Sequence, residues 1–276
     1  MTKDDAVRYI RSEPKYASLV YDSYMGEDVL SCAHRFFHSD EFSYIRKLLK
    51  DSLSQGKVLD LGAGNGIASF AFASCGAKKV YALEPDRSDE VGAGAIRRIK
   101  GNLPIEVLSS FAEEIPLADS EVDIAYARQV LHHVQNLPAV MREVARVLKT
   151  GGVFIACREH VIDKPEELQV FLDEHIMHQL SGGENALYLD DYLTAINSSG
   201  LKLEKVFDPW DTIVNAFPIM RSEAELKAFP KKLLKDKFGF TGSILAYVPG
   251  IDALVWHRIR QHKLPGRLYS FFARKP

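Results

Sequence analysis

The stretch from Val58 to Gly66 most constrains what this chain can fold into. It reads V-L-D-L-G-A-G-N-G, a β-branched and leucine run fit for a buried strand, followed by glycine at three alternate positions. Strand, tight turn and helix start is the local structure such a pattern favours. Gly62, Gly64 and Gly66 free the backbone to take positive φ and leave no Cβ between main-chain N–H groups and a ligand. Further on, Val80-Tyr81-Ala82-Leu83-Glu84 reads as a second buried strand ending in a carboxylate. In α/β sheets that is where a ribose diol meets two acceptor oxygens. The two ends together mark an adenosine site.

Glycine spacing separates two ligand classes. Dinucleotide binders use G-x-G-x-x-G, whose helix N-terminus faces a pyrophosphate. Here the spacing is G-x-G-x-G with Asp60 before it, and an acid at the mouth of the loop suits a cationic amino-acid end better. On these residues the chain resembles the class I S-adenosylmethionine (SAM)-dependent methyltransferases of small-molecule type. Their first motif is this aspartate–glycine loop, and their second strand ends in the ribose-binding acid. The resemblance implies cofactor contacts from Asp60, Gly62, Ala63, Gly64 and Gly66, and from Glu84 with Pro85, and S-adenosylhomocysteine as product.

Three later phrases extend the resemblance. S-F-A-E-E-I-P-L-A-D resembles the family's adenine-reading loop G-D-A-x-x-L-P-F, with Phe111 where the aspartate is expected and Ala112 next to it. The side-chain contact to the exocyclic amine is then missing or falls to Glu113, while the backbone contact survives. Beyond the strand Val122 to Ala127 the family carries cofactor and substrate contacts, and Arg128, Gln129 and His133 take those positions. R-V-L-K-T-G-G-V-F, leading into the strand Val153 to Cys157, is close to the family's R-V-L-K-P-G-G.

From Asp60 to Cys157 strand and helix alternate as a right-handed parallel sheet requires. The expected fold is α/β: a doubly wound, mostly parallel seven-stranded sheet with an antiparallel last strand. Its 276 residues suffice for one large domain. That domain is expected to comprise a helical N-terminal cap at 1–54, a cofactor-binding core at 55–157 and a substrate insert at 158–188. Closing helix and strands follow at 189–210 and 267–276, with a basic and apolar insert at 211–266; both inserts read as lids. Ser88-Asp89-Glu90 is expected to open a helix weakened by Gly92 and Gly94, at about 1 kcal/mol each relative to alanine. In this family such an N-terminal segment often folds over the cofactor, so Tyr21, Tyr24 and Arg35 are candidates to touch it.

Methyl transfer from a sulfonium, which the resemblance implies, is an in-line displacement that needs alignment and exclusion of water. The acceptor side falls beyond the carboxyl ends of the strands, where the first insert begins with R-E-H-V, then E-H-I-M-H and G-G-E-N. His160, His175, His178 and Glu184 are therefore candidate acceptor contacts together with His133, and a neutral histidine can serve as general base. Because His132 and His133 are adjacent, they are expected to point apart, with His133 facing the pocket. His175 and His178 share a face if their segment is helical. With Glu184 or Asp173 they could hold a divalent ion, beside the plainer reading of structural or surface histidines; the expected cofactor set contains SAM and no metal.

Oxygen is the favoured nucleophile, because the segment offers bases and no aromatic cage for a cation. A-R-Q-V stands where an N-P-P-Y-like tetrad would follow the fourth strand, which disfavours amino methylation of adenine or glutamine. The alternatives are an NAD(P)-dependent oxidoreductase, which the glycine spacing opposes, and a non-catalytic SAM-binding partner protein.

Charge is uneven along the chain. From Arg221 onward there are twelve Lys and Arg against four Asp and Glu, a net of +8 within a total of −2. In the second insert Lys231, Lys232, Lys235 and Lys237 precede the apolar run S-I-L-A-Y-V-P-G-I-D-A-L-V-W, too short and too interrupted to cross a bilayer. Residues 231–267 are thus expected either to meet an anionic membrane or a lipid-linked substrate, or to pack as a lid with a solvated basic rim. No specific nucleic acid is expected. Three cysteines without metal spacing and a charged start, M-T-K-D-D, point to a reducing, cytoplasmic setting, membrane-peripheral if the second insert docks.

Overall fold

The apolar runs of the sequence become the central strands of one sheet, because residues apolar at successive positions can be buried on both faces only between two layers of helices. In the computed structural model the chain is described over residues 1–276, apart from the side chain of Asp51. The strands are β1 (Lys57–Leu61), β2 (Lys79–Leu83), β3 (Ile105–Leu108), β4 (Val122–Arg128), β5 (Leu148–Ile162), β6 (Leu187–Tyr188), β7 (Lys202–Phe207) and β8 (Arg267–Arg274). Their order is β3-β2-β1-β4-β5-β8-β7, parallel from β3 to β5, with β8 antiparallel to both neighbours. The expected doubly wound sheet is therefore present, with one addition: the two-residue β6 pairs with the end of β5. Strand order reverses between β1 and β4, and the crevice outside their carboxyl ends is where such sheets bind ligands.

Local chemistry sets the flanking helices. Ile67–Ser74, apolar on every side, is buried along nearly its whole length, while Leu137–Val147 turns Leu137, Val140, Met141 and Val144 to the sheet at helical spacing. The N-terminal cap is helical as expected, and Ser39 caps the helix Asp40–Leu49 by accepting from Phe42 N–H at 3.1 Å. Phe72, fully buried, joins cap and sheet: its ring lies 5.3 Å from Phe42 and 5.0 Å from Tyr126.

Three expectations about segments are corrected. The helix expected from Ser88 starts only at Ala93, because Ser88 and Asp89 form a turn under it. Gly92 and Gly94 admit that turn, since a Cβ on Gly94 would lie 2.0 Å from Asp89 Oδ1. The first insert does not begin at Arg158, because β5 continues to Ile162 with a register shift against β8 between Ala156 and Glu159. His175 and His178 share no helical face: His175, at φ −93° and ψ 101°, separates the helices Pro165–Glu174 and Ile176–Ser181. The second insert is helical, over Ile213–Ala216, Glu223–Leu245 with a break at Gly239, and Ile251–Arg260.

Phe72→Ala should cost about 3–5 kcal/mol of stability, measured by urea denaturation followed by tryptophan fluorescence and circular dichroism. A loss below about 1 kcal/mol would mean that cap and sheet are not joined through this ring.

Candidate active site

The glycine loop turns sharply off β1. Gly62, Gly64 and Gly66 have φ of +56°, +55° and +85°. A Cβ on Gly62 would lie 2.7 Å from Val130, so this glycine is required by packing, whereas the nearest neighbour of a Cβ on Gly64 is 3.8 Å away. Gly64 thus presents its open side to a ligand. Ala63 N–H donates to Leu83 O at 3.0 Å, and Gly64 N–H donates to Glu84 Oε2 at 2.7 Å, which ties the loop to the end of β2. The other oxygen of Glu84 accepts from Asp86 N–H at 2.8 Å. Burial raises the Glu84 pKa against these two N–H groups, and each oxygen retains a further lone pair for a diol.

A cavity of about 510 Å³ opens over this loop, a size suited to a small-molecule site. Gly62, Gly64, Glu84 and Pro85 line one side, and Phe111, Ala112 and Glu113 another. Arg128 at the end of β4 and Gln129, Val130 and His133 just beyond it form a third side, and Met177 with Ser181 to Glu184 closes the remaining one. Ala63 is buried within the loop and Gly66 under it, where a Cβ would lie 3.0 Å from Ile96.

Several candidates stand elsewhere than expected. Asp60 is 2% exposed and off the cavity wall; its Oδ2 accepts from the Ser69 hydroxyl at 2.6 Å, and burial pushes its pKa up to about 7. Arg128 reaches the wall, but its guanidinium is clamped by Glu41 at 2.7 and 3.2 Å. Glu113 is engaged by Gln135 N–H at 2.9 Å and Asn136 N–H at 3.2 Å, so it holds that loop. The cap does cover the cavity, through Lys3, Val7, Ser23 and Met25 and not through the expected aromatics. Arg35 stacks 3.7 Å from the Tyr21 ring centre, and Tyr24 is buried against Phe217.

Residues 59–156 match the family described as a methyltransferase domain. This stretch is a class I methyltransferase domain. Among curated relatives, the 27-O-demethylrifamycin SV methyltransferase of Amycolatopsis mediterranei is 25% identical over 61% of this chain and 64% of its own length. The dimethylglycine N-methyltransferase of Parasynechococcus marenigrum is 29% identical over 65% of this chain and 63% of its own. The chain thus spans less than two thirds of either relative. A geranyl diphosphate methyltransferase solved in complex with SAM shares the fold, with a TM-score of 0.55, 16% identity and coverage of 91% of this chain and 92% of that one.

Behind the Glu184 side of the cavity lies a histidine cluster that spacing alone did not reveal. The short 3-10 turn Leu131–His133 brings the rings of His132 and His133 to 4.1 Å instead of pointing them apart, and both Nε2 atoms lie 3.7 Å from Glu184 Oε2. Glu159, fully buried and not foreseen as a site residue, accepts from Val130 and His132 N–H and from His132 Nδ1 at 2.7 Å. A carboxylate in a buried strand, one residue before His160, was the available signal. Burial opposes protonation of His132, but Glu159 and then Glu184 hold its pKa up to about 9.

The other histidines part company. His160 lies on β5 inside the sheet, off the cavity wall, with its ring 4.7 Å from that of His132 and its Nδ1 2.7 Å from Gly266 O. Burial, then the charge of His132, brings its pKa down to about 3. His175 is partly exposed, with Nδ1 3.9 Å from Glu184 Oε1, and Asp173 bonds Gln169; neither these nor His178 reaches the cavity. Only His133 of the proposed histidines lines it, with Nδ1 2.8 Å from Gly183 O.

Glu84→Ala should weaken binding of S-adenosylhomocysteine by about 1.5–3 kcal/mol, roughly ten- to a hundredfold in Kd, in isothermal titration calorimetry. An unchanged Kd would remove Glu84 from the cofactor site.

Proposed function

We propose that this chain is a SAM-dependent methyltransferase acting on a small or medium-sized acceptor, with oxygen as the nucleophile. The observation that carries the reading is one cavity with the open face of Gly64 and the Glu84 carboxylate on one side and His133 with Glu184 on the other. The residues suit the cofactor: Glu84 offers lone pairs to a ribose diol, Phe111 and Ala112 an apolar wall to adenine, and Gly64 an approach free of side chains. When bound, the cofactor would supply an electrophilic sulfonium methyl. The protein's part is to bind, orient and exclude water.

His133 is the proposed base. Its Nδ1 faces only a carbonyl oxygen and so carries the proton there, which leaves the Nε2 lone pair to accept one from an acceptor hydroxyl. Glu184, 3.7 Å from that Nε2, would stabilise the imidazolium as it forms. One of the two curated relatives is named for a 27-O-demethylated substrate and the other as an N-methyltransferase, so oxygen rests on the wall itself. It offers His133 and Glu184, and Phe111 is the only Phe, Tyr or Trp among the residues lining it. The methyltransferase domain match and the glycine spacing speak against the oxidoreductase alternative. His133→Ala should lower kcat by about 10²-fold or more and leave the Kd of S-adenosylhomocysteine within twofold (about 0.4 kcal/mol). Undiminished turnover would remove His133 as the base.

For the second insert we propose contact with an anionic membrane surface. Phe240, Tyr247 and Leu264 are 82%, 85% and 67% exposed in the segment that also carries Lys231, Lys232, Lys235 and Lys237, with Lys231 Nζ 5.8 Å from the Tyr247 ring centre, and exposed apolar side chains among cations suit an interface of this kind. Among the described residues no helix is long and apolar enough to span a membrane. The protein should co-sediment with phosphatidylserine vesicles at low salt, less so as salt rises, and less with Phe240→Ser and Tyr247→Ser. No pelleting at low salt would leave the insert as a lid alone.

A further inference from the structure

We propose that His132, His160 and Glu184 form a binding site for a divalent transition metal, of the kind zinc represents, just behind the acceptor side of the cavity. One potential ligand atom from each lies within 4.8 Å of the others. The three come from separate parts of the chain: the turn after β4, the bulged end of β5, and the loop that follows the helix Ile176–Ser181.

Two independent observations point to an occupant. The first is an orphan: His132 Nε2 is buried, on a side chain with no exposure, and has no hydrogen-bond partner. A buried polar atom left so costs about 1–3 kcal/mol and calls for an explanation. It looks toward Glu184 at 3.7 Å, too far for a hydrogen bond. The second is how the rings are held. His132 Nδ1 donates to the Glu159 carboxylate at 2.7 Å, and His160 Nδ1 donates to Gly266 O at 2.7 Å. Each ring thus has a proton tied on the δ side, which is how metal-bound histidines are oriented by outer partners; the ε nitrogen of His160 is then free as a ligand, and on His132 the ion takes the place of the ε proton that Glu159 and Glu184 favour. Glu159 is itself fixed by Val130 and His132 N–H at 3.1 and 3.2 Å.

The donor set chooses the ion. Two imidazoles and one carboxylate suit zinc and its transition-metal neighbours, whereas magnesium and calcium favour oxygen ligands. Bonds of about 2.0–2.1 Å in a tetrahedral site place ligand atoms about 3.4 Å apart; the His132–Glu184 edge already stands at 3.7 Å, and no edge exceeds 4.8 Å. Glu184 is the movable member: it follows Gly182 and Gly183, at φ of +70° and +92°, with no atom within 4 Å of a Cβ on either. Glu184 also lines the cavity, so a remaining coordination position can face the acceptor, where an ion would lower the pKa of a bound hydroxyl. The site stands whether or not methyl transfer to oxygen is correct, because it is read out by metal binding.

The test is equilibrium dialysis of the metal-stripped, untagged full chain against zinc chloride with elemental analysis, and X-ray absorption of the loaded protein. One equivalent of zinc with two imidazole ligands is expected. Glu184→Gln, on the cavity wall and tolerant of exchange, should weaken zinc binding at least tenfold, as should His160→Asn, while His178→Ala should bind like the parent. Circular dichroism of each variant confirms its fold. No stoichiometric zinc, parent-like binding by Glu184→Gln, or loss confined to His175→Ala and His178→Ala would each overturn the assignment.

Discussion

The hydrogen bond from Gly64 N–H to the Glu84 carboxylate joins the ends of β1 and β2 across the mouth of the cavity. Without it the glycine loop would be a turn of high backbone entropy, since glycine surrenders more freedom on folding than any other residue. With it, and with Ala63 N–H on Leu83 O, the loop is held open-faced at the place where strand order reverses. A carboxylate in this role serves two ends at once: it satisfies main-chain donors that the turn leaves over, and its remaining lone pairs stay free for a ligand.

The same economy recurs around the cavity. Glu159 satisfies two backbone N–H groups and fixes the His132 ring, while Glu41, brought in by the cap, clamps Arg128. Arg158 is the exception among these buried charges. Its guanidinium donates to the carbonyls of Val214 and Phe217 instead of a carboxylate, and burial followed by the charge of Arg128 brings its pKa down to about 10. Arg158 takes φ +62° at the bulge of β5, the kind of irregularity that re-aims side chains beside a site. Here Glu159 and His160 end facing the turn that carries His132. The histidine side of the cavity is thus built by a strand that runs on past the expected edge of the core, together with a loop that returns to meet it.

Much of this was legible before any coordinates. The alternation of strand and helix, the loop geometry and the place of Glu84 follow from local rules: β-branched runs, glycine where φ must be positive, and a carboxylate at a strand end; the wall position of His133 follows from the family resemblance. The misplacements share a different cause. Asp60 was assigned to the mouth of the loop from its neighbours in sequence, but the Ser69 hydroxyl on the following helix takes it inward. The family resemblance points Tyr21, Tyr24 and Arg35 at the cofactor, whereas Arg35 stacks on both tyrosine rings and Tyr24 is buried against Phe217. His175 and His178 were paired by a helical period that His175 itself interrupts.

From residues alone, then, came the sheet, the glycine turn and the Glu84 side of the cavity, because each depends on contacts between residues within a strand–turn–helix unit, and such units carry their own periodicity. The histidine side came only with the folded chain. Its parts lie at residues 128–133, 158–160 and 182–184, and nothing in their spacing states that Glu159 would reach back to His132 or that Glu184 would come within 4 Å of three histidine rings. Contacts between segments so far apart are set by how the bulge in β5 and the loop at Gly182 and Gly183 bend, and those bends are consequences of packing against β8 and the turn after β4.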